Sequence, residues 1–544
     1  MKLSRQCGEM TDDEVYKPPF LVFTGQKINA IYSDPEVSKY RGNPLIEALP
    51  KILTKLEAAK GLAKFPQYSE DMRNQPAHLR LHYIQDTLEF FTPLGIHIDL
   101  EQRISRIIRL GYQARNPILP EFWQNTKRSL DLIDPNGFVP RSPRSTAKSM
   151  TIIGLSGIGK STGVEEILLL YPQIINHSRY LNKNLTLRQI VWLKLDCPHD
   201  GSIKGLCINF FQAVDDLLGT QYYTNYTKGR QTVDDMIPNM ARVASIQSLG
   251  MLVIDEIQNL SLAKSGGCQK MLNFFVQLIN TIGLPVILVG TYKAWSVLSS
   301  EFRQIRRGTG QGDFVWDTMK EDETWQTFVK SLWRYQYVQI ASPLTPELSH
   351  TLYYECQGIT DFAAKIYMLA QVRAVSSGKE RITASIIKSV AKDCLRTATK
   401  VLNALKETDA DKKLRLLMDC EDVKPIDLEP FIEEGIERLA NEDSSSVIGE
   451  DQSDSESSPS EEIKPTEPSQ ELSELANSKL PKEKEISSNS VPIKATQKSR
   501  TRNKQTDSKD TLPEIVAKKA STGVSCYEAL KEAGYIKSVS EYQL

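Results

Sequence analysis

No stretch of eighteen consecutive apolar residues occurs anywhere in the chain. The sequence therefore predicts no membrane-spanning helix and no membrane partner. Met1 to Glu14 is mostly polar and lacks the apolar core and cleavage site of a secretory leader, which predicts an intracellular protein. The eight cysteines, Cys7, Cys197, Cys207, Cys268, Cys356, Cys394, Cys420 and Cys526, include no C-x-x-C pair. That spacing argues against a zinc site or a disulfide framework and for reduced, structural thiols. Net charge is also scarce: 67 basic residues against 68 acidic ones leave −1. This balance averages over segments of opposite character and excludes no class of partner. There is no internal repeat. A length of 544 residues exceeds what a single core organises, so several units are expected.

What is present is a glycine-rich loop with a lysine at its end. Gly154-Leu155-Ser156-Gly157-Ile158-Gly159-Lys160-Ser161 has the full G-x-x-x-x-G-K-[ST] spacing. A strand-like run, Met150 to Ile153, precedes it and a helix-like run, Val164 to Leu170, follows. Strand, loop and helix in that order form a phosphate cradle, because backbone N–H groups turn inward and the helix N-terminus favours an anion. The loop predicts a site for ATP made by Gly154, Ser156, Gly157, Ile158, Gly159, Lys160, Ser161 and Thr162. Lys160 would reach the β- and γ-phosphates and Ser161 would help hold Mg²⁺. A second apolar strand, Met251 to Ile254, ends in Asp255-Glu256. Asp255 is expected in the Mg²⁺ shell and Glu256 beside the attacking water. The alternative is a glycine turn and an unrelated strand ending in acids, which the order and spacing of the two motifs disfavour.

The chain divides by composition. Residues 1–120 read as an N-terminal extension with short helices, in which Asn43 to Pro50 resembles a partner-docking segment. Residues 121–148 read as a connector. Strands at 150–154, 190–196, 250–255 and 285–290 alternate with helices near 162–170, 202–218, 232–247 and 268–281. That alternation predicts an α/β core over 149–320, a parallel sheet sandwiched by helices. Runs over 344–370 and 383–405 predict a helical lid at 321–410, with a helical extension at 411–440. From 441 the composition turns acidic, Ser- and Pro-rich, then basic, which predicts a disordered linker to 511. Residues 512–544 recover apolar residues at helical spacing and read as a short element that docks a partner; a frayed tail is the other reading.

Paired acids at the second motif, with no N-K-x-D where a GTPase carries it, point to an AAA+ P-loop ATPase. In that class the strand Pro285 to Gly290 would deliver a sensor, here Thr291, beside the γ-phosphate; Thr291 also suits the cap of a following helix. Arg303, Arg306 and Arg307 then offer a finger that a neighbouring subunit's nucleotide would receive, or a solvated basic helix end.

At residue level the chain resembles the TnsC family, AAA+ ATP-dependent regulators of cut-and-paste transposons with a multi-subunit transposase. The resembling stretches are Tyr40 to Pro50, Arg103 to Ser105 through Gly111-Tyr112 to Arg115-Asn116-Pro117, Leu195 to Ser202, Asn209 to Phe211, Leu252 to Gln258, Met271 to Val276, Val289 to Thr291, Arg306 to Gly308 and Gln357 to Ile359. They span roughly residues 30–405; the tail beyond about 410 does not visibly match. The resemblance implies ATP-dependent rings or filaments on double-stranded target DNA, a target-site selector that signals to the protein, and transposase subunits that it recruits. It also implies a bacterial cytoplasmic, DNA-associated protein. Two departures are from the wider AAA+ class: Thr291 replaces the commoner Asn, as is usual among TnsC-like proteins, and Asp361, with Lys365 one turn later, stands near the place of the lid arginine. Contacts to DNA would be mostly to phosphate, and Lys204, Tyr223, Lys228, Arg230 and Lys264, with Tyr222 and Tyr226 among them, are the candidates. Readings from other classes are a STAND-type signalling ATPase and a scaffold that binds ATP without cleaving it. The lack of a repeat array after the lid counts against the first, and Glu256 against the second.

Overall fold

The computed structural model describes residues 22–120, 122–124, 127, 146–228, 231–262, 267–294, 313–420, 426 and 428–447. Eight strands are present among them: β1 (Lys27–Asn29), β2 (Met150–Gly154), β3 (Ile174–Tyr180), β4 (Lys183–Ile190), β5 (Trp192–Asp196), β6 (Met251–Asp255), β7 (Val286–Gly290) and β8 (Asp313–Trp316). Five of them form one parallel sheet in the order β5-β6-β7-β2-β8. Alternate residues of these strands enter two different cores. Met150, Ile152, Met251, Val253, Ile287 and Val289 face one, while Ile153, Leu252, Ile254, Val286 and Leu288 face the other. Parallel strands buried on both faces require near-continuous apolar runs, and the sequence supplies them.

Helices cover both faces. Ile203–Leu218, Val233–Ile246 and Gly267–Gln277 pack on one side. The other side carries Gly95–Gln113, whose Leu100, Ile104, Ile107 and Ile108 are fully buried. Each such side chain contributes about 2 kcal/mol by leaving water. Polar pins hold this helix to the sheet. The Tyr112 hydroxyl donates to the Ser248 carbonyl at 2.8 Å, and the buried Arg115 guanidinium donates to the Leu249 carbonyl at 2.7 Å. Burial pulls the Arg115 pKa down to about 10. The segment expected to dock a partner is used within the chain itself: Pro44, Leu45 and Ile46 are buried in a short helix, and Asn43 donates through Nδ2 to the Tyr112 carbonyl.

Four strands, β1, β3, β4 and β8, were not anticipated. β3 and β4 form an antiparallel hairpin closed by Leu181 (φ 46°) and Asn182 (φ 64°), and β1 joins β3 in parallel as a third strand. The sequence 190–196, read as one strand, is divided between the end of β4 and β5. β4 is mostly exposed and polar, and Leu-Asn is a poor marker for a two-residue hairpin turn. β8 closes the edge beside β2, where Thr151 Oγ1 donates to Asp313 Oδ1.

Beyond the sheet come the helices Glu323–Leu332, Pro346–Cys356, Thr360–Ser376, Ala384–Cys394 and Thr399–Leu405. The helical run over 344–370 is broken at Gln357 (φ 51°) and Gly358 (φ 74°). A Cβ on Gly358 would lie 2.1 Å from the Met319 carbonyl oxygen, so only glycine fits that turn. The helix Glu429–Val447 runs across residue 441, where the composition changes. The rest of the expected linker and the element at 512–544 lie outside the described residues.

One buried ion pair fastens the N-terminal segment to the helical region. Arg80, 1% exposed, makes a bidentate contact with Glu380 at 2.6 and 2.7 Å. Replacing Arg80 by Met leaves the Glu380 carboxylate without its partner and is expected to cost about 3 kcal/mol. Thermal unfolding should show Arg80→Met lower by several degrees, with Arg80→Met/Glu380→Gln recovering part of the loss. An unchanged midpoint in the single variant would show that the pair does not fasten the two segments.

Candidate functional site

All five parallel strands point their carboxyl ends to one edge of the sheet, and the loop opens there. β2 ends at Gly154, and the helix Lys160–Leu168 begins after Gly157 (φ 75°) and Gly159 (φ 95°). Both angles lie in the left-handed region that glycine enters at no steric cost, so the backbone can curl around a bound anion. Lys160 is buried and donates to the Leu155 carbonyl at 2.6 Å and the Gly154 carbonyl at 3.1 Å. The lysine is thus held across its own loop, with the helix N-terminus behind it.

β7 lies between β2 and β6, which carry the loop and the acidic pair. Its end therefore delivers Thr291 between them. Ser156, Gly157, Gly159, Lys160, Ser161, Thr162, Asp255, Glu256, Thr291 and Lys365 line a single cleft of about 230 Å³, joined by Gly290, Asp361, Phe362 and Ile426. Gly154 and Ile158 support the cleft from behind: the Gly154 carbonyl holds Lys160, and the Ile158 carbonyl accepts from Thr360 Oγ1 at 3.3 Å. Thr291 Oγ1 is buried and has no protein partner. A buried hydroxyl in that position carries an uncompensated cost unless a ligand or water satisfies it. This orphan and the positive-φ cradle fit a nucleotide phosphate chain with its Mg²⁺; Ser161 and Asp255 line the cleft and are the residues whose oxygens would hold the metal.

The electrostatics contain a group that the sequence reading missed. Lys194 of β5 is 9% exposed, and its ammonium lies 2.9 Å from Glu165, 3.2 Å from Asp196 and 3.3 Å from Asp255. Burial opposes its charge, but Asp255, Asp196 and Glu165 outweigh that and hold its pKa above the ordinary value. A lone lysine in the apolar run Val191 to Leu195 was the available signal. Asp255 Oδ1 accepts from the Glu256 backbone N–H at 2.8 Å. Glu256 itself adopts φ 54°, which costs a side-chain-bearing residue about 1–2 kcal/mol. On the lid side, Asp361 and Lys365 pair at 2.8 Å, one turn apart at the start of the helix Thr360–Ser376. The ring of Phe362 packs 3.5 Å from where a Gly157 Cβ would stand.

Of the candidate DNA contacts, the described ones, Lys204, Tyr222, Tyr223, Tyr226 and Lys228, do not line this cleft. Lys204 is exposed in the first turn of Ile203–Leu218, and Lys228 is exposed just after the helix Tyr222–Thr227. Tyr222, Tyr223 and Tyr226 pack against the core under that helix, with Tyr222 and Tyr226 stacked at 6.0 Å. The backbone N–H groups of Tyr222 and Tyr223 donate to the Asp215 carboxylate. Arg230, Lys264, Arg303, Arg306 and Arg307 lie outside the described residues.

Strand order, loop and acidic pair define a P-loop nucleotide-binding domain with a helical region after the sheet. Residues 143–298 match the family model described as an AAA domain. Comparison with curated proteins finds no match. Among solved structures the chain is similar to the ORC1 protein of Aeropyrum pernix in complex with DNA, at 13% identity over 60% of this chain and 84% of that one, with a TM-score of 0.33. It is similar to a Walker-type ATPase of Pyrococcus abyssi at 14% identity over 59% of this chain and 88% of that one, TM-score 0.28. The Thermotoga maritima RuvB Holliday junction branch migration motor is similar at 12% identity over 52% and 73%, TM-score 0.27.

The Asp361 carboxylate stands beside the phosphate loop and is neutralised by Lys365. Lys365→Met is expected to weaken nucleotide binding roughly three- to tenfold, since it leaves an unpaired negative charge near the phosphates. Titration with a fluorescent nucleotide should show Asp361→Asn/Lys365→Met recovering most of that affinity. A double variant as weak as the single one would mean that Lys365 acts on the nucleotide directly.

Proposed function

We propose that this chain is an ATP-hydrolysing molecular switch that assembles on double-stranded target DNA, connects a target-site selector to transposase subunits, and releases the DNA when ATP is cleaved. The convergence of Lys160, Ser161, Asp255, Glu256 and Thr291 on one cleft carries the ATPase half of this reading. The residue-level resemblance to TnsC-type regulators over roughly 30–405 supports the transposition half.

Each group has a defined task. Loop N–H groups and Lys160 hold the β- and γ-phosphates, and Ser161 and Asp255 hold Mg²⁺. Held there by Ser161 and Asp255, Mg²⁺ would supply neutralisation of the charge on the transferring phosphoryl group. Glu256 orients a water for in-line attack, and Thr291 Oγ1 donates beside the γ-phosphate, where its buried hydroxyl finds a partner. Lys194 fixes Asp255 from behind. An arginine among Arg303, Arg306 and Arg307 completes a neighbouring subunit's site, which makes turnover depend on assembly. Lys204, Tyr223, Lys228, Arg230 and Lys264 contact DNA phosphates, and many copies in a ring or filament sum these modest patches. Residues 512–544 dock a transposase subunit through the tether expected over 441–511, whose first residues, to Val447, are helical.

Electron microscopy of the full chain with duplex DNA tests the switch directly. Rings or filaments are expected with a non-hydrolysable ATP analogue and not with ADP; monomers off DNA in both states would overturn the reading. Lys160→Ala should abolish ATP-dependent DNA binding. Glu256→Gln should retain ATP binding while DNA-bound oligomers persist, with hydrolysis reduced about 100-fold or more. Release from DNA as fast as in the parent protein would remove hydrolysis from the release step.

A further inference from the structure

The acidic pair does not stand alone at the end of β6. Two residues past Glu256, the Gln258 side chain is 5% exposed and uses both ends of its carboxamide. Its Nε2 donates to Glu256 Oε2, and its Oε1 accepts from the Thr291 backbone N–H at 3.1 Å. The contact is close: a Cβ on Gly290 would fall 2.9 Å from Gln258 Oε1 and 2.6 Å from Ile257 Cγ2. A residue larger than glycine at the end of β7 would push this carboxamide away. The turn that presents it is itself tied down, with the Asn259 backbone N–H donating to the Glu256 carbonyl at 3.0 Å and Asn259 Nδ2 donating to the Cys197 carbonyl at 3.0 Å.

We propose that Gln258 is a positioning residue that couples the Glu256 carboxylate to the end of β7, so that Thr291 and Glu256 move as one unit. The inference rests on the ATPase reading of this cleft. A primary amide is the side chain that both donates to a carboxylate and accepts from a backbone N–H at this length. Leucine does neither, and glutamate accepts from Thr291 but repels Glu256. The Thr291 hydroxyl, buried without a protein partner just past the end of β7, is the group placed to sense the γ-phosphate. A shift of β7 on satisfying that hydroxyl reaches Glu256 through one carboxamide. Gln258 therefore affects hydrolysis and leaves nucleotide affinity alone.

The test compares Gln258→Leu, Gln258→Glu and Glu256→Gln in the full chain with duplex DNA. ATP affinity, single-turnover hydrolysis and thermal midpoint are measured for each. The expected result is ATP affinity within about twofold of the parent, an unchanged midpoint, and hydrolysis lowered about 10- to 100-fold in Gln258→Leu and further in Gln258→Glu. Parent-like hydrolysis in Gln258→Leu, with hydrolysis abolished in Glu256→Gln, overturns the coupling and keeps the ATPase reading. A rate above the parent makes Gln258 a brake and also overturns it. Affinity and midpoint falling in parallel with the rate reduce Gln258 to a packing residue. Hydrolysis that survives Glu256→Gln instead removes Glu256, and with it the coupling, from the reaction, whereas a parent chain that binds ATP without cleaving it overturns the ATPase reading itself.

Discussion

The cleft depends on one constraint: five parallel strands must end on the same edge of the sheet, with β7 wedged between β2 and β6. Parallel neighbours align their carboxyl ends, so any residue just past a strand end is delivered to that edge. Gly154, Asp255 and Gly290 end three adjacent strands there. Without β7 in the middle, Thr291 would not stand between the phosphate loop and the acidic pair. The apolar alternation that buries both faces is therefore also what assembles the polar edge. Core and site cannot be altered separately at these strand ends.

Charge at that edge is arranged in opposed pairs. The Lys194 ammonium meets Asp255, Asp196 and Glu165 on the sheet side, and Lys365 meets Asp361 on the lid side. Both lysines restrain carboxylates that would otherwise repel a phosphate chain. Lys160 is the basic residue of the loop itself, folded onto its own carbonyls. The cleft thus has a cationic centre flanked by acids that outnumber their lysines, which favours a polyanion accompanied by a divalent metal over a bare polyanion.

Much of this was legible in the sequence, because two signals were strong. The G-x-x-x-x-G-K-[ST] spacing names a backbone conformation, and four apolar strand runs alternating with helices name a doubly covered parallel sheet. β1, β3, β4 and β8 were missed for physical reasons, β1 being only three residues long. The hairpin is half polar and turns through Leu181-Asn182, and β8 is four residues long. The apolar residues between Pro44 and Pro50 looked like a docking surface because a sequence cannot show that Gly95–Gln113 already covers them. Lys194 and Gln258 were passed over because each is an ordinary residue made special by what lies across the sheet. Their partners come from β6, the loop helix and the end of β7, a juxtaposition that no local pattern encodes.

The Arg80–Glu380 pair, described above as a fastening, has a mechanical meaning as well. Arg80 also donates to the Tyr337 carbonyl, Tyr68 donates to the Gln336 carbonyl at 2.9 Å, and the rings of Tyr83 and Tyr337 stack at 6.3 Å. The helix Glu429–Val447 lies on the same scaffold, with Gly435 close against Val372 of the lid helix. These contacts join the lid helix, the segment around residues 68–85 and the helix Glu429–Val447 in one packed scaffold. Asp361, Phe362 and Lys365 of that scaffold line the cleft, and the helix that leads into the acidic tail packs on the same lid helix. A displacement of the lid helix at the phosphate loop would therefore be carried through shared packing to the start of the tail.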